Sequence, residues 1–174
     1  VDRGENYFVF LSIGIFVFGF TQRSTTSGAN SINNNKGLLN AFSFPRALLP
    51  VTSTITEALA TVAPIVVMYV IALLSGETPT WTWLLVPLLM AAQLVFNFGW
   101  ALVAARATSS VRDISQLLPF IFRLLLYGSG VLVDVERYTE GKSYGWIFVF
   151  NPVYCSVTLV RWPILGGEFR ADLL

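Results

Sequence analysis

Three stretches of this chain, residues 51–74, 81–104 and 115–133, are predominantly apolar over lengths that suit a bilayer. A hydrocarbon core about 30 Å thick takes about 20 such residues when they form a helix. Two further apolar segments lie at 7–20 and 144–165. Only 12% of the 174 residues are charged and 55% are hydrophobic. Soluble domains carry about 25% charged residues, so an all-α integral membrane protein is expected. A net charge of +1 offers nothing to nucleic acid. There is no histidine, and Cys155 is the single cysteine. That excludes a disulfide within the chain, the usual His/Cys metal clusters and the commonest general base.

The 7–20 segment is short as a strict apolar run, but it continues into TQRSTTSGANSI, whose hydroxyls can bond back to helix carbonyls. A first span from about residue 7 to about residue 30 is expected, with a polar inner end. Phenylalanines at 8, 10, 16, 18 and 20 mimic a period of two, yet Val, Leu, Ile and Gly lie between them. A barrel strand would alternate with polar residues. The run is followed by Gln22-Arg23-Ser24, which is no small-residue cleavage pattern. The chain opens on Val almost directly into this run, and a fragment of a longer protein is expected.

The last segment is cut by Asn151-Pro152 and carries Arg161. Proline removes a helical hydrogen bond and clashes with the preceding turn. Each half is too short to span, so 144–165 is read as two short helices that dip into the membrane and return.

Loop charge orients the chain. Residues 21–50 hold Arg23, Lys36 and Arg46 and no acid, and 105–113 hold Arg106 and Arg112 against Asp113. Residues 75–80 hold only Glu77, and 134–143 hold Asp134, Glu136 and Glu140 against Arg137 and Lys142. Basic loops stay inside. Residues 21–50 and 105–113 are therefore expected to be cytoplasmic and the other two loops external, with Trp81 and Trp83 in the outer aromatic belt. The first residue then falls outside, and an earlier span is expected.

The inner loop contains NAFSFPRALLPV at residues 40–51. Ser43 can cap a helix with Pro45 in its first turn, and Pro50 is expected to stop that helix before the next span. Such a helix can order the loop on the membrane surface or serve as a docking element. SINNNKGLLNAFSFPRALLPV resembles the loop between the second and third spans of ABC-2 type permeases, most of all the Wzm/TarG group that exports polysaccharide and teichoic acid. In that family the loop carries the coupling helix, which fits a cleft on a separate ATP-hydrolysing subunit. Phe44, Pro45, Arg46, Leu49 and Pro50 match its core. Ser43 stands where an aromatic is common and Ala47 where an acid is common.

FNPVYCSVTLVRWPILGG resembles the family's stretch between the fifth and sixth spans, with Asn151, Pro152, Arg161, Gly166 and Gly167 at matching places. The resemblance implies short re-entrant helices at an outer gate. LLLYGSGVLV at 124–133 resembles the end of the fifth span. The likeness runs over nearly the whole chain and lacks the N-terminal cytoplasmic helix and the first and last spans. ENYFVFLSIGIFVFGFTQRSTTSGANSI is most similar to actinobacterial members, which would imply a galactan precursor on a polyprenyl carrier.

There is no G-x-x-x-x-G-K-[ST], so ATP and Mg are expected on a partner subunit and no cofactor in this chain. Three polar residues stand inside expected spans. Glu57 lies about 9 Å, Asn97 about 10 Å and Arg123 about 12 Å from the inner ends of their helices. A lone charge there costs several kcal/mol, so Glu57 and Arg123 are expected to pair, with Asn97 nearby. The layer can tie three helices together, touch sugar hydroxyls on an export path, or snorkel to the interface. Tyr7, Phe8 and Trp146 near the outer mouth, and Tyr127, are candidates for a glycan path, although aromatic rings also fill membrane cores. Cys155 reads as an apolar filler.

The expected protein is a single all-α permease domain of the ABC-2 (type V) class in a bacterial plasma membrane. It has about four spans and the gate helices, and works as a homodimer with two Wzt-like ATP-binding subunits to move a polyprenyl-linked polysaccharide. Rival readings are an ABC-2 drug or lipid exporter, a membrane glycosyltransferase or ligase using the acids of the 134–143 loop, and a passive channel.

Overall fold

The computed structural model describes residues 7–41, 43, 45–111, 113–129, 131 and 151–165. Phe44, Trp146, Gly166 and Gly167, and the first half of the 144–165 segment, lie outside the described residues.

The first helix, α1, spans Tyr7–Asn34. It outlasts the expected 7–30, and several polar side chains of its second half bond back to its own carbonyls. Thr25 donates to the Thr21 carbonyl at 2.8 Å and Ser31 to that of Gly28 at 2.6 Å. Asn30 donates to the Thr26 carbonyl at 3.0 Å and Asn35 to that of Ser31 at 2.8 Å. Its buried positions, among them Ile13, Val17, Phe20, Ser24, Gly28 and Ser31, recur every three or four residues, the stripe of a helix that packs along one face.

A short helix, α2, spans Lys36–Ala41 and buries no residue. The next helix, α3, spans Leu48–Leu74. Here the structure corrects one expectation. Pro50 does not end a short helix but lies in the first turn of α3, where it is buried. A first-turn N–H has no intrahelical acceptor, so proline removes nothing there. The helix in this loop is α2, upstream of the prolines. A turn over 45–47 feeds α3 directly, with the Leu48 N–H donating to the Pro45 carbonyl at 3.0 Å.

A 3-10 turn, Trp81–Leu84, opens α4, Leu85–Ser110. Then α5 spans Ile114–Gly128, and α6 spans Pro152–Leu165. Among the described residues three helices, counting Trp81–Ser110 as one, are long and apolar enough to cross a membrane. The expected fourth span, 115–133, is a second correction. Its helix ends at Gly128, and 15 residues reach about 22 Å, short of a bilayer core.

α1 is the centre of the bundle. It packs on α3 and α4 along its length and on α5 and α6 toward its start. Gln93 meets Thr21 and Ala101 meets Gly28, so α1 and α4 advance in the same direction. α3 and α4 form a hairpin closed by Tyr69, whose ring stacks on Trp83 at 5.3 Å and whose hydroxyl donates to the Trp83 carbonyl at 2.8 Å. Phe18 of α1 meets Phe122 of α5 edge to face at 6.0 Å. Val9, Ile13, Val17 and Phe20 of α1 join Met68, Val86, Val157 and Val160 in the core. The outward faces stay apolar, with Leu59, Leu88, Val95 and Leu124 all about two-thirds exposed or more. Surface of that extent suits lipid or a partner, not water.

Close approach decides the α1–α4 contact. A Cβ on Gly28 would stand 2.6 Å from the Ala101 Cβ and 3.0 Å from its Cα. Small residues permit such contacts where lipid offers no hydrophobic drive between helices. Gly28→Ala should therefore lower stability by about 1–3 kcal/mol. Gly99→Ala, with nothing within 4 Å of the new Cβ, should be neutral or gain about 0.5–1 kcal/mol. Thermal unfolding of the two variants in detergent tests the contrast.

Candidate functional site

Three regions carry the residues singled out in the sequence: a projecting loop at one end of the bundle, a polar level inside it, and α6 at the other end.

In the loop, Pro45, Arg46, Ala47 and Leu48 are exposed, while Leu49 and Pro50 are buried against the bundle. The exposed four precede or begin α3. The hydroxyls of the next turn fold back on this start. Ser53 and Thr54 donate to the Pro50 carbonyl at 2.9 and 2.8 Å, and Thr52 donates to those of Leu48 and Leu49 at 2.9 Å each. The turn leads into α3 through a hydrogen-bonded first turn.

At the polar level, Glu57 is paired, but not with Arg123. Its Oε2 stands 3.5 Å from Nε of Arg23 on α1. Nη2 of Arg23 also donates to the Thr61 hydroxyl at 3.4 Å, and that hydroxyl donates to the Glu57 carbonyl at 2.7 Å. The expected Glu57–Arg123 pair is corrected for a geometric reason. Arg123 adjoins Phe122, whose partner on α1 is Phe18, about 8 Å along the helix from Arg23. Arg123 lies instead on the exposed face of α5. Counting loop charge assigns Arg23 to the inner loop, and this hides it as a partner for Glu57. The usable signal is the helix expected through residue 30, which places Arg23 inside α1.

On α4, the turn before Asn97 meets α1. Gln93 donates to the Thr21 hydroxyl at 2.7 Å. One turn further along both parallel helices come Asn97 and Ser24–Thr25. Asn97 and Ser24 are both 0% exposed. Among the described residues the Ser24 hydroxyl and both polar atoms of the Asn97 amide have no hydrogen-bond partner. Buried unmet polar groups cost about 1–3 kcal/mol each.

At the far end, Asn151 and Pro152 start α6. Oδ1 of Asn151 accepts from the Val153 N–H at 3.0 Å, and Pro152 is the first helical residue. That is an N-cap followed by proline at its favoured place. Nδ2 of Asn151 donates to the Gly128 carbonyl at 3.2 Å, joining α6 to the end of α5. Arg161 is 9% exposed. Its Nη2 donates to the Val131 carbonyl at 3.0 Å, and its Nε and Nη2 donate to the Phe10 carbonyl at 3.3 and 3.2 Å. The guanidinium carbon also stands 3.4 Å from the Phe10 ring centroid, a cation–π contact. Phe10, Gly14 and Val131 carry no sequence signal for this role.

Tyr7, Phe8 and Tyr127 are exposed at this same end of the bundle. The Tyr7 ring stacks 6.4 Å from that of Phe10. Cys155 is half-buried on α6. Among the described residues no three His, Cys, Asp or Glu side chains gather into a set that could hold a metal ion.

A bundle of long apolar helices with lipid-suited flanks defines a multi-pass membrane protein. The chain belongs to the ABC-2 type transporter family, whose model matches residues 5–165, and this places it in a bacterial plasma membrane. It is 27% identical over 170 residues to the O-antigen export system permease protein RfbA of Klebsiella pneumoniae, covering 97% of this chain and 65% of that relative. It is 23% identical over 153 residues to the protein of the same description from Myxococcus xanthus, covering 88% of this chain and 59% of that one. The chain thus spans 65% or less of the length of these relatives.

Reversing one charge of the Arg23–Glu57 pair should cost up to about 3 kcal/mol, the order for an unmatched charge at depth. The double reversal Arg23→Glu/Glu57→Arg should recover most of the folded yield, and Glu57→Arg/Arg123→Glu should not. Asn97→Leu removes unmet polar atoms at similar volume, so it should raise the unfolding temperature. A fall would mean that Asn97 is satisfied in the membrane.

Proposed function

We propose that this chain belongs to the membrane-spanning subunit of an ATP-driven exporter that moves a lipid-linked cell-surface polysaccharide across the plasma membrane. The observation that carries this reading is the similarity to O-antigen export permeases over 97% of the chain. Two structural features support it. One end presents the exposed Pro45–Leu48 turn and α2, and the other presents α6. The first is the coupling element toward an ATP-binding, Wzt-like subunit, and the second is part of the outer gate. ATP and Mg belong to that partner, since the chain has no phosphate-binding G-x-x-x-x-G-K-[ST] loop.

The positive-inside rule orients the bundle, with the loop around residues 31–50 in the cytoplasm and α6 external. Pro45, Arg46 and Leu48 then face the partner, while the buried Leu49 and Pro50 fix the base of the turn. Closure of the ATP-bound partner pushes on this turn. Because α3 starts at Leu48, the push acts on a span with no flexible joint between. Two copies of the subunit enclose the path, and the exposed rings of Tyr7, Phe8 and Tyr127 suit the apolar faces of sugars at its outer mouth. A galactan precursor on a polyprenyl carrier is the cargo we infer.

Depletion of the full-length protein in its native host should accumulate full-length polymer on the carrier at the cytoplasmic leaflet, with loss of the surface polysaccharide. Unchanged glycans would reject polysaccharide export in favour of a small-molecule exporter, and short precursors would favour an enzyme on the same carrier. Arg46→Glu, at an exposed site, should leave stability within about 0.5 kcal/mol. It should nonetheless reduce export strongly and weaken capture of the ATP-binding subunit.

A further inference from the structure

We propose that Arg161 and Gly14 form a key-and-notch joint through which α1 sets the position of α6. Arg161 is thus a positioning residue for the gate. The inference rests on the reading of α6 as an outer gate element and adds what holds it.

The notch comes from helix geometry. A helical side chain leans over the turn that precedes it. At position 14 a side chain would cover the Phe10 carbonyl, which lies four residues upstream. Gly14 leaves that carbonyl open, and the Arg161 guanidinium fills the space. A Cβ on Gly14 would stand 2.6 Å from Nη2 of Arg161, 3.1 Å from Cγ1 of Val131 and 3.2 Å from the Val131 carbonyl oxygen. The joint therefore draws together α1, α6 and the segment after α5. The flat guanidinium stacks on the Phe10 ring while it donates sideways to both carbonyls. An ammonium cannot do both at once.

The rest of α6 is tied elsewhere. Asn151 holds its start to the Gly128 carbonyl of α5, and the Thr82 hydroxyl donates at 2.7 Å to the Pro163 carbonyl near its end. Arg161 adds the polar link to α1, the helix that runs on to the inner loop. A displacement of α1 then moves α6 with it.

Cys155, the chain's single cysteine, lies on α6 and reports the joint. The experiment uses the full-length protein with any other cysteine removed, in right-side-out vesicles, and measures the labelling rate with a membrane-impermeant maleimide. Arg161→Met and Gly14→Ala should each speed labelling by about 5–30-fold, since each frees α6 from the same hydrogen-bonded contact. The double variant should label no faster than the faster single one, because both changes remove one joint. Arg161→Lys should fall between wild type and Arg161→Met. Gly28→Ala introduces a clash of the same size at the α1–α4 contact but leaves the Arg161 contact intact, so it should speed labelling less than either Arg161→Met or Gly14→Ala. Rates within twofold of wild type for both Arg161→Met and Gly14→Ala would overturn the joint. So would equal acceleration by Gly28→Ala, which would point to general loosening. Acceleration seen only in inside-out vesicles would keep the joint and overturn the external gate reading on which it rests.

Discussion

The contact on which the rest of the bundle depends is the close parallel seam of α1 against α4. Gly28 meets Ala101 with no room for another carbon, and about two turns away Gln93 reaches the Thr21 hydroxyl. Between them lie Ser24 and Asn97, fully buried. Small side chains let the helices approach, and approach brings their polar groups out of reach of lipid and water alike. Once α1 is seated in this way, its opposite side is presented to α3. Arg23 then faces Glu57 and Thr61. The ion pair is a consequence of the seam, because a rotation of α1 would carry Arg23 away from α3.

The two ends of the bundle use proline in the same manner. Pro50 and Pro152 both occupy first turns, where a missing N–H has no cost. At Asn151-Pro152 the start of α6 is legible in the sequence, since Asn before Pro caps the downstream helix. At Pro50 the sequence suggests a stop. The residue is instead a start, because the helix continues through it to Leu74 and the turn before it closes over 45–47. A proline marks a boundary without saying on which side the helix lies. The packing of the next turn decides, here through the burial of Leu49 and Pro50.

The polar level shows where reasoning along one chain gives out. Distance from a helix end places Glu57 and Asn97 at one depth. The same measure places Arg123 beside them, although its helix neighbour Phe122 packs on Phe18, nearer the start of α1 than Arg23. Depth taken from the inner end of each helix assumes that all helices begin on one plane. Beyond the Gly28–Ala101 contact α1 runs on to Asn34 and α4 to Ser110, about one turn farther, so their inner ends lie on different planes. Arg23, which loop-charge counting groups with the inner loop, belongs to a helix.

The sequence by itself determined that the chain is helical and apolar on its flanks, that α6 begins at Asn151-Pro152, and that a basic, proline-containing loop connects the first two long helices. Run length, proline chemistry and charge are local, and local properties survive without knowledge of neighbours. Only the tertiary structure decided that Arg23 answers Glu57, that Gly28 admits Ala101, and that Gly14 bares the Phe10 carbonyl for Arg161. Those matches depend on the rotation and offset of one helix against another. That register is set by side chains distant in sequence, 151 positions apart in the case of Arg161 and Phe10, and no periodicity within a single helix encodes it.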